Sequence, residues 1–384
     1  MTNMMDYLAW RGDVPFSASP WNETDALIIA VVSYLNFDGV DNERGMTFRE
    51  LKECGALRPG NGGSFAARRA LFEAAAETER FGGCRIHYFF ALTDEALKTQ
   101  FSAMCVDVGD GTVCVAYRGT DNTIIGWRED FNMMCRCPVP AQEAAVLYLE
   151  NACRNIRMPV RITGHSKGGN LAVYAAACAA PETRDRVLDV WTYDGPGMAK
   201  IVFDSVGYRE AAPKIRAFVP QTSIFGMLMC HPETYTVVVS DASGLAQHDP
   251  FTWKVTGSRF GTAEEIDSTA RVIDETLHEW LAGSTLEQRE VFVETLFRLM
   301  GSTQAITLSE LRGDRMKNMA KMLAASLDID PETRRVITRL FGQFLTLGVG
   351  NVVERVIENV GDRNGDKPGT EKLSAAETPD EGNG

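Results

Sequence analysis

The sequence lacks an excess of positive charge and any long uncharged hydrophobic run. Its 39 Lys and Arg residues stand against 52 Asp and Glu residues, which gives a formal net charge of −13. Binding to nucleic acids or to anionic lipid depends on a cationic surface, so this composition argues against both. No stretch of about 18 uncharged apolar residues is present, and we expect no stable insertion into a membrane.

Signals for export and for metal binding are also lacking. The opening residues MTNMMDYLAWRGD have no basic start, apolar core and small-residue cleavage site. The nine cysteines are odd in number, and the closest pair, Cys135 and Cys137, has no second pair at the spacing of a zinc site. We therefore expect reduced thiols, a cytoplasmic location and no metal or other cofactor.

The composition of the chain divides it into four parts. Residues 1–100 are mixed and partly helical, and we expect them to pack on the core that follows. Residues 101–260 alternate apolar strands with helices, whereas residues 261–360 predict only helices. Residues 361–384 are rich in Gly, Glu, Asp and Pro and predict a disordered tail.

Short apolar runs mark the strands of the second part. Because helices separate most of these runs, the pattern favours a mostly parallel sheet flanked by helices, with a helical C-terminal appendage. The predicted strands are 104–108, 112–117, 160–163, 187–193, 215–219 and 235–239; the predicted helices are 26–35 (capped by Asn22 or Thr24), 64–80, 140–155, 170–180, 263–282, 286–300, 308–327 and 331–359.

The clearest chemical motif is GHSKGGN at residues 164–170, which fits G-x-S-x-G between a predicted strand and a predicted helix. A serine on such a sharp turn is held in strained backbone geometry, so its close neighbours Gly164 and Gly168 must lack side chains. The turn also places Ser166 at the N-terminus of a helix, where free amides favour a developing oxyanion. The motif predicts Ser166 as a nucleophile.

Two segments carry a resemblance to a known family. AYRGTDNTIIGWREDF and ITGHSKGGNLAVYAA resemble the class 3 (fungal-type) lipases of the α/β-hydrolase superfamily. With MDYLAWRGD and SYLNF included, the chain resembles a bacterial family of lipase-like hydrolases that brings no known activity. The resemblance implies an α/β-hydrolase-type fold, with the amides of Thr120 and Lys167 forming an oxyanion hole.

A catalytic base should follow the serine, because the superfamily order is Ser, acid, His. Three histidines do so: His231, His248 and His278. His278 lies within a predicted helix, and His231 comes just ahead of a strand. His248 lies in the loop after the last predicted strand of the sheet, where lipase-like families place their histidine. We predict His248, with His231 as the alternative.

The acid is the point where the sequence departs from the resemblance. Class 3 lipases place an Asp in the loop after the strand at 215–219, and this chain has Ser223 there without a carboxylate. Asp194 ends the preceding strand, a position that carries the acid in pancreatic-type lipases. We predict Asp194 as the acid, with Ser223, Asp241 and Asp249 as lesser candidates.

Three further features allow two interpretations each. Trp127 with Ile124 and Ile125 predicts either a lid or a packed amphipathic helix. Residues 224–229 predict either an acyl pocket or core. The Lys167 side chain predicts either a preference for an anionic substrate or a solvated side chain.

These features together predict a serine ester hydrolase that acts on a small-molecule or lipid-like ester. The alternative is a catalytically weakened hydrolase fold that serves as a binding or scaffold protein. An acyltransferase or a peptidase with the same residues also remains open.

Overall fold

The computed structural model describes residues 2–55, 57, 64–94, 99–120, 129–133, 135–223, 225–231, 234–267, 271 and 283–302. Within them, nine strands form one sheet in the order β1-β2-β3-β4-β5-β6-β7-β8-β11. A separate two-stranded sheet pairs β9 with β10.

The helices and strands have the following bounds. The strands are β1 Met46–Thr47, β2 Arg85–Asp94, β3 Thr99–Asp107, β4 Val113–Tyr117, β5 Val160–His165, β6 Val187–Tyr193, β7 Ile215–Pro220, β8 Thr236–Val238, β9 Val255–Thr256, β10 Arg259–Phe260 and β11 Thr262–Ala263. The helices are α1 Met4–Arg11, α2 Glu23–Val32, α3 Phe48–Glu53, α4 Ser64–Glu77, α5 Pro140–Asn155, α6 Lys167–Cys178, α7 Pro181–Arg184, α8 Lys200–Phe203, α9 Val206–Ala211 and α10 Leu286–Ser302.

The centre of the large sheet is parallel. Strands β4 to β8 pair in parallel, and the register sets Tyr117 beside Gly164 and His165 beside Tyr193. The edges are antiparallel, since β1, β2 and β3 join at one side and β11 at the other. The α/β-hydrolase-type fold class predicted from the sequence is confirmed. Parallel strands place their carboxyl ends at one edge, where loops after β4, β5 and β6 meet.

Both faces of the sheet are covered by helices. On β4, Val113 and Val115 belong to a core formed with α5, α6 and α10, whereas Cys114 and Ala116 belong to a core formed with α1, α2 and α4. Alternate residues of a strand point to opposite faces, so a strand buried on both faces is apolar throughout. This explains why the central strands were readable from the sequence.

The first 100 residues contribute more to the sheet than their sequence suggested. Strand β2 was not predicted, and the structure gives the reason: a register shift between His87 and Phe90 interrupts its pairing with β3. Tyr88, inside the shift, has a positive φ of 52°. Such a bulge breaks the two-residue alternation by which a strand is recognised.

The sequence located the N-cap of α2 and the start of α4 better than it located the ends of these two helices. Asn22 caps α2, and its side chain accepts a hydrogen bond of 2.9 Å from the Thr24 amide. That helix ends at Val32, and α4 ends at Glu77, three residues before the predicted limits of 35 and 80 in each case.

The described residues include only part of the C-terminal region for which helices and a tail were predicted. The helix predicted at 286–300 is present as α10, whereas Thr262–Ala263, where a helix was predicted to begin, is strand β11. The predicted helices 308–327 and 331–359 and the predicted tail 361–384 lie outside the described residues. No helix in the described part of the chain is long and apolar enough to cross a membrane.

A buried ion pair ties the N-terminal helices together. The side chains of Arg80 and Asp25 are fully buried, and the Arg80 Nε donates to Asp25 Oδ1 over 2.8 Å. The Tyr7 hydroxyl donates to the same oxygen over 2.7 Å. Burial raises the pKa of the Asp25 carboxyl, and the guanidinium opposes that rise.

Replacing Arg80 by methionine is therefore expected to lower the free energy of unfolding by about 3–5 kcal/mol, because the Asp25 carboxylate is left buried without its partner. Urea unfolding followed by circular dichroism measures this change. The matched control is Arg69→Met, which removes an exposed ion pair between Arg69 and Glu73 within α4. This variant should lower the free energy of unfolding by about 0.5 kcal/mol. Equal losses in the two variants would contradict the prediction.

Candidate active site

The turn between β5 and α6, which we call the elbow (residues 164–168), holds Ser166 in an unusual backbone conformation. Its φ is 58° and its ψ is −132°, and the residue is 3% exposed. A Cβ on Gly164 would lie 2.1 Å from the Gly168 carbonyl oxygen, and a Cβ on Gly168 would lie 2.2 Å from the Tyr117 carbonyl oxygen. Only glycine fits both positions, as the motif requires.

The elbow also places Ser166 at the start of a helix. The Ser166 amide donates to the Tyr193 carbonyl over 2.9 Å, which anchors the turn to β6. Lys167 is the first residue of α6. The amides of a first helical turn have no carbonyl partner within the helix, so the Lys167 amide is of the kind that can bind an oxyanion.

The structure brings His248 and Asp194 together. His248 ends a short 3₁₀ helix, Gly244–His248, and its Nδ1 lies 2.6 Å from Asp194 Oδ2. Asp194 directly follows β6, has a φ of 48° and is 1% exposed.

Asp194 is held by donors on its other carboxylate oxygen. Its Oδ1 accepts hydrogen bonds from the Ser223 hydroxyl and, over 3.1 Å, from the Gly226 amide. Ser223 lies in the loop after β7, where the resemblance implied an acid. Here the serine binds the carboxylate that arrives from the neighbouring strand, and it leaves Oδ2 directed at His248.

His165, the residue before Ser166, binds the backbone of His248, a role that the sequence reasoning missed. Its Nε2 lies 2.9 Å from the His248 carbonyl oxygen, and its Nδ1 lies 3.0 Å from the Tyr34 hydroxyl. Because a carbonyl can only accept, Nε2 carries the proton and Nδ1 accepts from Tyr34. Burial, followed by the charge of His248, lowers the pKa of His165, which favours this neutral form.

The His248 ring is packed between two other rings. Its centroid lies 4.7 Å from that of His165 and 4.7 Å from that of Phe225. The elbow is therefore in contact with His248. Phe225 belongs to the stretch 224–229, whose described residues, 225–229, are all buried, as the core interpretation expected.

Thr120 lies in the loop after β4, beside the elbow. The residue is 7% exposed, and its hydroxyl donates to Asp130 Oδ1 over 2.9 Å. Burial raises the pKa of Asp130 to about 7, against the opposing effects of the Lys167 ammonium and the Thr120 hydroxyl.

The Lys167 side chain contradicts one of its two interpretations, that of a solvated group. It is 1% exposed, and its Nζ lies 2.7 Å from Glu129 Oε2 and 2.8 Å from the Gln100 carbonyl oxygen. A charge this deeply buried needs a partner, and the sequence carried no sign that Glu129, 38 residues away, would supply it.

The other candidates lie elsewhere or outside the described residues. Asp241 pairs with Lys254 Nζ at 3.1 Å, and Asp249 accepts from the Phe251 amide at 3.1 Å. His231 lines a small cavity behind the Asp194 loop. His278 and the predicted lid residues Ile124, Ile125 and Trp127 fall outside the described residues.

Two comparisons of the sequence with known proteins gave one family match. A family model described as Mbeg1-like matches residues 75–298, more than half of the chain. A search of curated proteins gave no match.

Several solved lipases are similar to the chain. M37 lipase has a TM-score of 0.37 and 14% identity, over 54% of this chain and 70% of that one. A member of a family of fungal lipases with a buried polar cluster has a TM-score of 0.37 and 14% identity, over 63% and 84%. Lipase II from Rhizopus niveus has a TM-score of 0.33 and 15% identity, over 51% and 78%.

Proposed function

The chain belongs to the Mbeg1-like family, within which we propose that it acts as a serine hydrolase of the α/β-hydrolase superfamily, cleaving carboxylic esters through an acyl-enzyme intermediate. The observation that carries the proposal is the 2.6 Å contact between His248 Nδ1 and Asp194 Oδ2, with the His248 ring 4.7 Å from the ring of His165, the residue before the strained Ser166. A buried carboxylate on one ring nitrogen of a histidine is the arrangement that makes the other nitrogen a base.

The proposed first step forms the acyl-enzyme. While the Nδ1–H group of His248 donates a hydrogen bond to the Asp194 carboxylate, the Nε2 lone pair takes the hydroxyl proton as Ser166 Oγ attacks the ester carbonyl carbon. The amides of Thr120 and Lys167 bind the resulting oxyanion. The intermediate then expels the alcohol, which receives the proton from His248.

The proposed second step releases the carboxylic acid product. Water loses a proton to His248 and attacks the acyl carbonyl, and the bond to Ser166 Oγ breaks as the serine regains its proton. Throughout, the Asp194 carboxylate holds the tautomer and stabilises the imidazolium. We extend the proposal to a small-molecule or lipid-like ester as the substrate.

The scaffold alternative was favoured by the missing carboxylate near Ser223 and by the large helical appendage. In the structure, the Ser223 hydroxyl binds Asp194, and Asp194 contacts His248. The departure from class 3 lipases is thus accompanied by a carboxylate that directly follows β6 and contacts His248.

A fluorophosphonate probe tests the proposal. The folded protein should take up one label, located on Ser166 by mass spectrometry, and a heat-unfolded sample should take up none. His248→Ala should slow labelling by about 10³-fold or more, because the serine loses its base. The matched control is His231→Asn, which changes the alternative base and should label at the wild-type rate. Absence of labelling in the folded protein, or a label on another residue, would refute the proposal.

A further inference from the structure

The side chain that follows the nucleophile is buried as a charged group. Lys167 donates from Nζ to Glu129 Oε2 over 2.7 Å and to the Gln100 carbonyl oxygen over 2.8 Å. Both ends of the pair are nearly inaccessible, with side-chain exposures of 1% and 3%. The backbone amide of the same lysine is the proposed oxyanion donor, so a constraint on the side chain is also a constraint near that amide.

Glu129 is itself firmly anchored. Its Oε1 accepts from the Thr99 hydroxyl over 2.6 Å, and its Oε2 accepts from the Gln100 amide over 3.1 Å in addition to the lysine. Thr99 and Gln100 are the first residues of β3. The carboxylate is therefore fixed to the sheet, and it does not depend on Lys167 for its position.

The residue after Glu129 reaches the other proposed oxyanion donor. Asp130 accepts from the Thr120 hydroxyl over 2.9 Å. Glu129 thus binds the side chain of Lys167, and its neighbour Asp130 binds the side chain of Thr120. These are the two residues whose amides would form the oxyanion hole.

The following inference rests on the proposed function. We propose that Glu129 is a positioning residue for the reaction. Its ion pair with Lys167 keeps the Lys167 amide aligned with the Thr120 amide, so that both point at the oxyanion. A buried ion pair contributes little to stability compared with a well-packed apolar pair of similar volume. Alignment of two donors on one oxygen, in contrast, is sensitive to displacements of about 1 Å, which can cost about 10²-fold in rate.

The test compares Glu129→Gln, Lys167→Met and the double variant, using kcat and KM for a p-nitrophenyl ester. Fluorophosphonate titration counts the competent sites, and thermal unfolding gives Tm. Each single variant should lower kcat per labelled site by about 10- to 100-fold with KM within about twofold, since ground-state binding is unchanged. The double variant should recover Tm, because no unpaired charge stays buried, while kcat remains low.

The outcomes separate positioning from a purely structural role. If kcat per labelled site returns to the wild-type value in the double variant, or is unchanged in both single variants, the inference is wrong. The matched control is Asp25→Asn, which breaks another buried ion pair and should lower Tm without changing kcat per labelled site. If the wild-type protein does not label at Ser166, the proposed function itself fails, and this inference fails with it.

Discussion

Replacing Ser166 by alanine is expected to lower kcat for a p-nitrophenyl ester by about 10⁶-fold, because the loss of the nucleophile removes the covalent route altogether. Residual turnover would come from oxyanion binding and orientation alone. The measurement is steady-state hydrolysis by the purified variant, with its circular dichroism spectrum as a check of folding. Alanine leaves the strained turn in place, so the fold should be kept.

A glycine at the same position separates activity from backbone strain. Ser166 has a φ of 58° and a ψ of −132°, a conformation that glycine adopts without a Cβ penalty. Ser166→Gly should be as inactive as Ser166→Ala but more stable than it by about 1 kcal/mol, once relief of strain is set against the greater chain entropy of glycine. Urea unfolding of both variants measures the difference. A glycine variant that is the less stable of the two would show that the turn is not strained.

Replacing Asp194 by asparagine is expected to lower kcat by about 10⁴-fold by forcing the wrong tautomer on His248. The structure dictates the orientation of the new amide. The Ser223 hydroxyl and the Gly226 amide both donate to Oδ1, so the carboxamide oxygen takes that place and its NH₂ group faces His248 Nδ1. The ring must then accept at Nδ1 and carry its proton on Nε2, where it cannot take the proton of Ser166.

Asp249→Asn and Asp241→Asn are the matched controls for this variant. Both carboxylates are close to His248 in the sequence. Asp249 binds the Phe251 amide, and Asp241 binds Lys254. Their kcat values should stay within about twofold of the wild-type value, since surface charges contribute little. If Asp194→Asn retains full activity, or if either control loses as much, the proposed acid is wrong.

The sequence was informative wherever a feature depends on close neighbours along the chain. The elbow could be predicted because Gly164 and Gly168 answer a steric requirement within five residues. Helix α5 and strand β6 were found at their observed bounds, Pro140–Asn155 and Val187–Tyr193, since proline starts the one and an almost continuous apolar run marks the other. Strand β2 was missed because its bulge breaks the alternation that identifies strands.

Contacts between distant segments were beyond the reach of the sequence. Nothing near Lys167 in the chain indicates that its ammonium is buried against Glu129, and the interpretation as a solvated side chain was wrong. Likewise, no local pattern connects Tyr34 with His165, 131 residues apart, or Ser223 with Asp194, 29 residues apart. These partners meet because the sheet and its loops bring them to one edge.

The amino-acid sequence by itself determined the order of strands and helices through the centre of the chain and the turn that holds Ser166. It also limited the candidate catalytic acids and bases to a few residues. Apolar periodicity and glycine sterics act over a few residues, so they can be read directly. Tertiary structure decided which carboxylate contacts His248, how Ser223 orients it, and which charge balances Lys167. Hydrogen bonds and ion pairs of buried groups depend on distances in space, and only the folded sheet sets those distances.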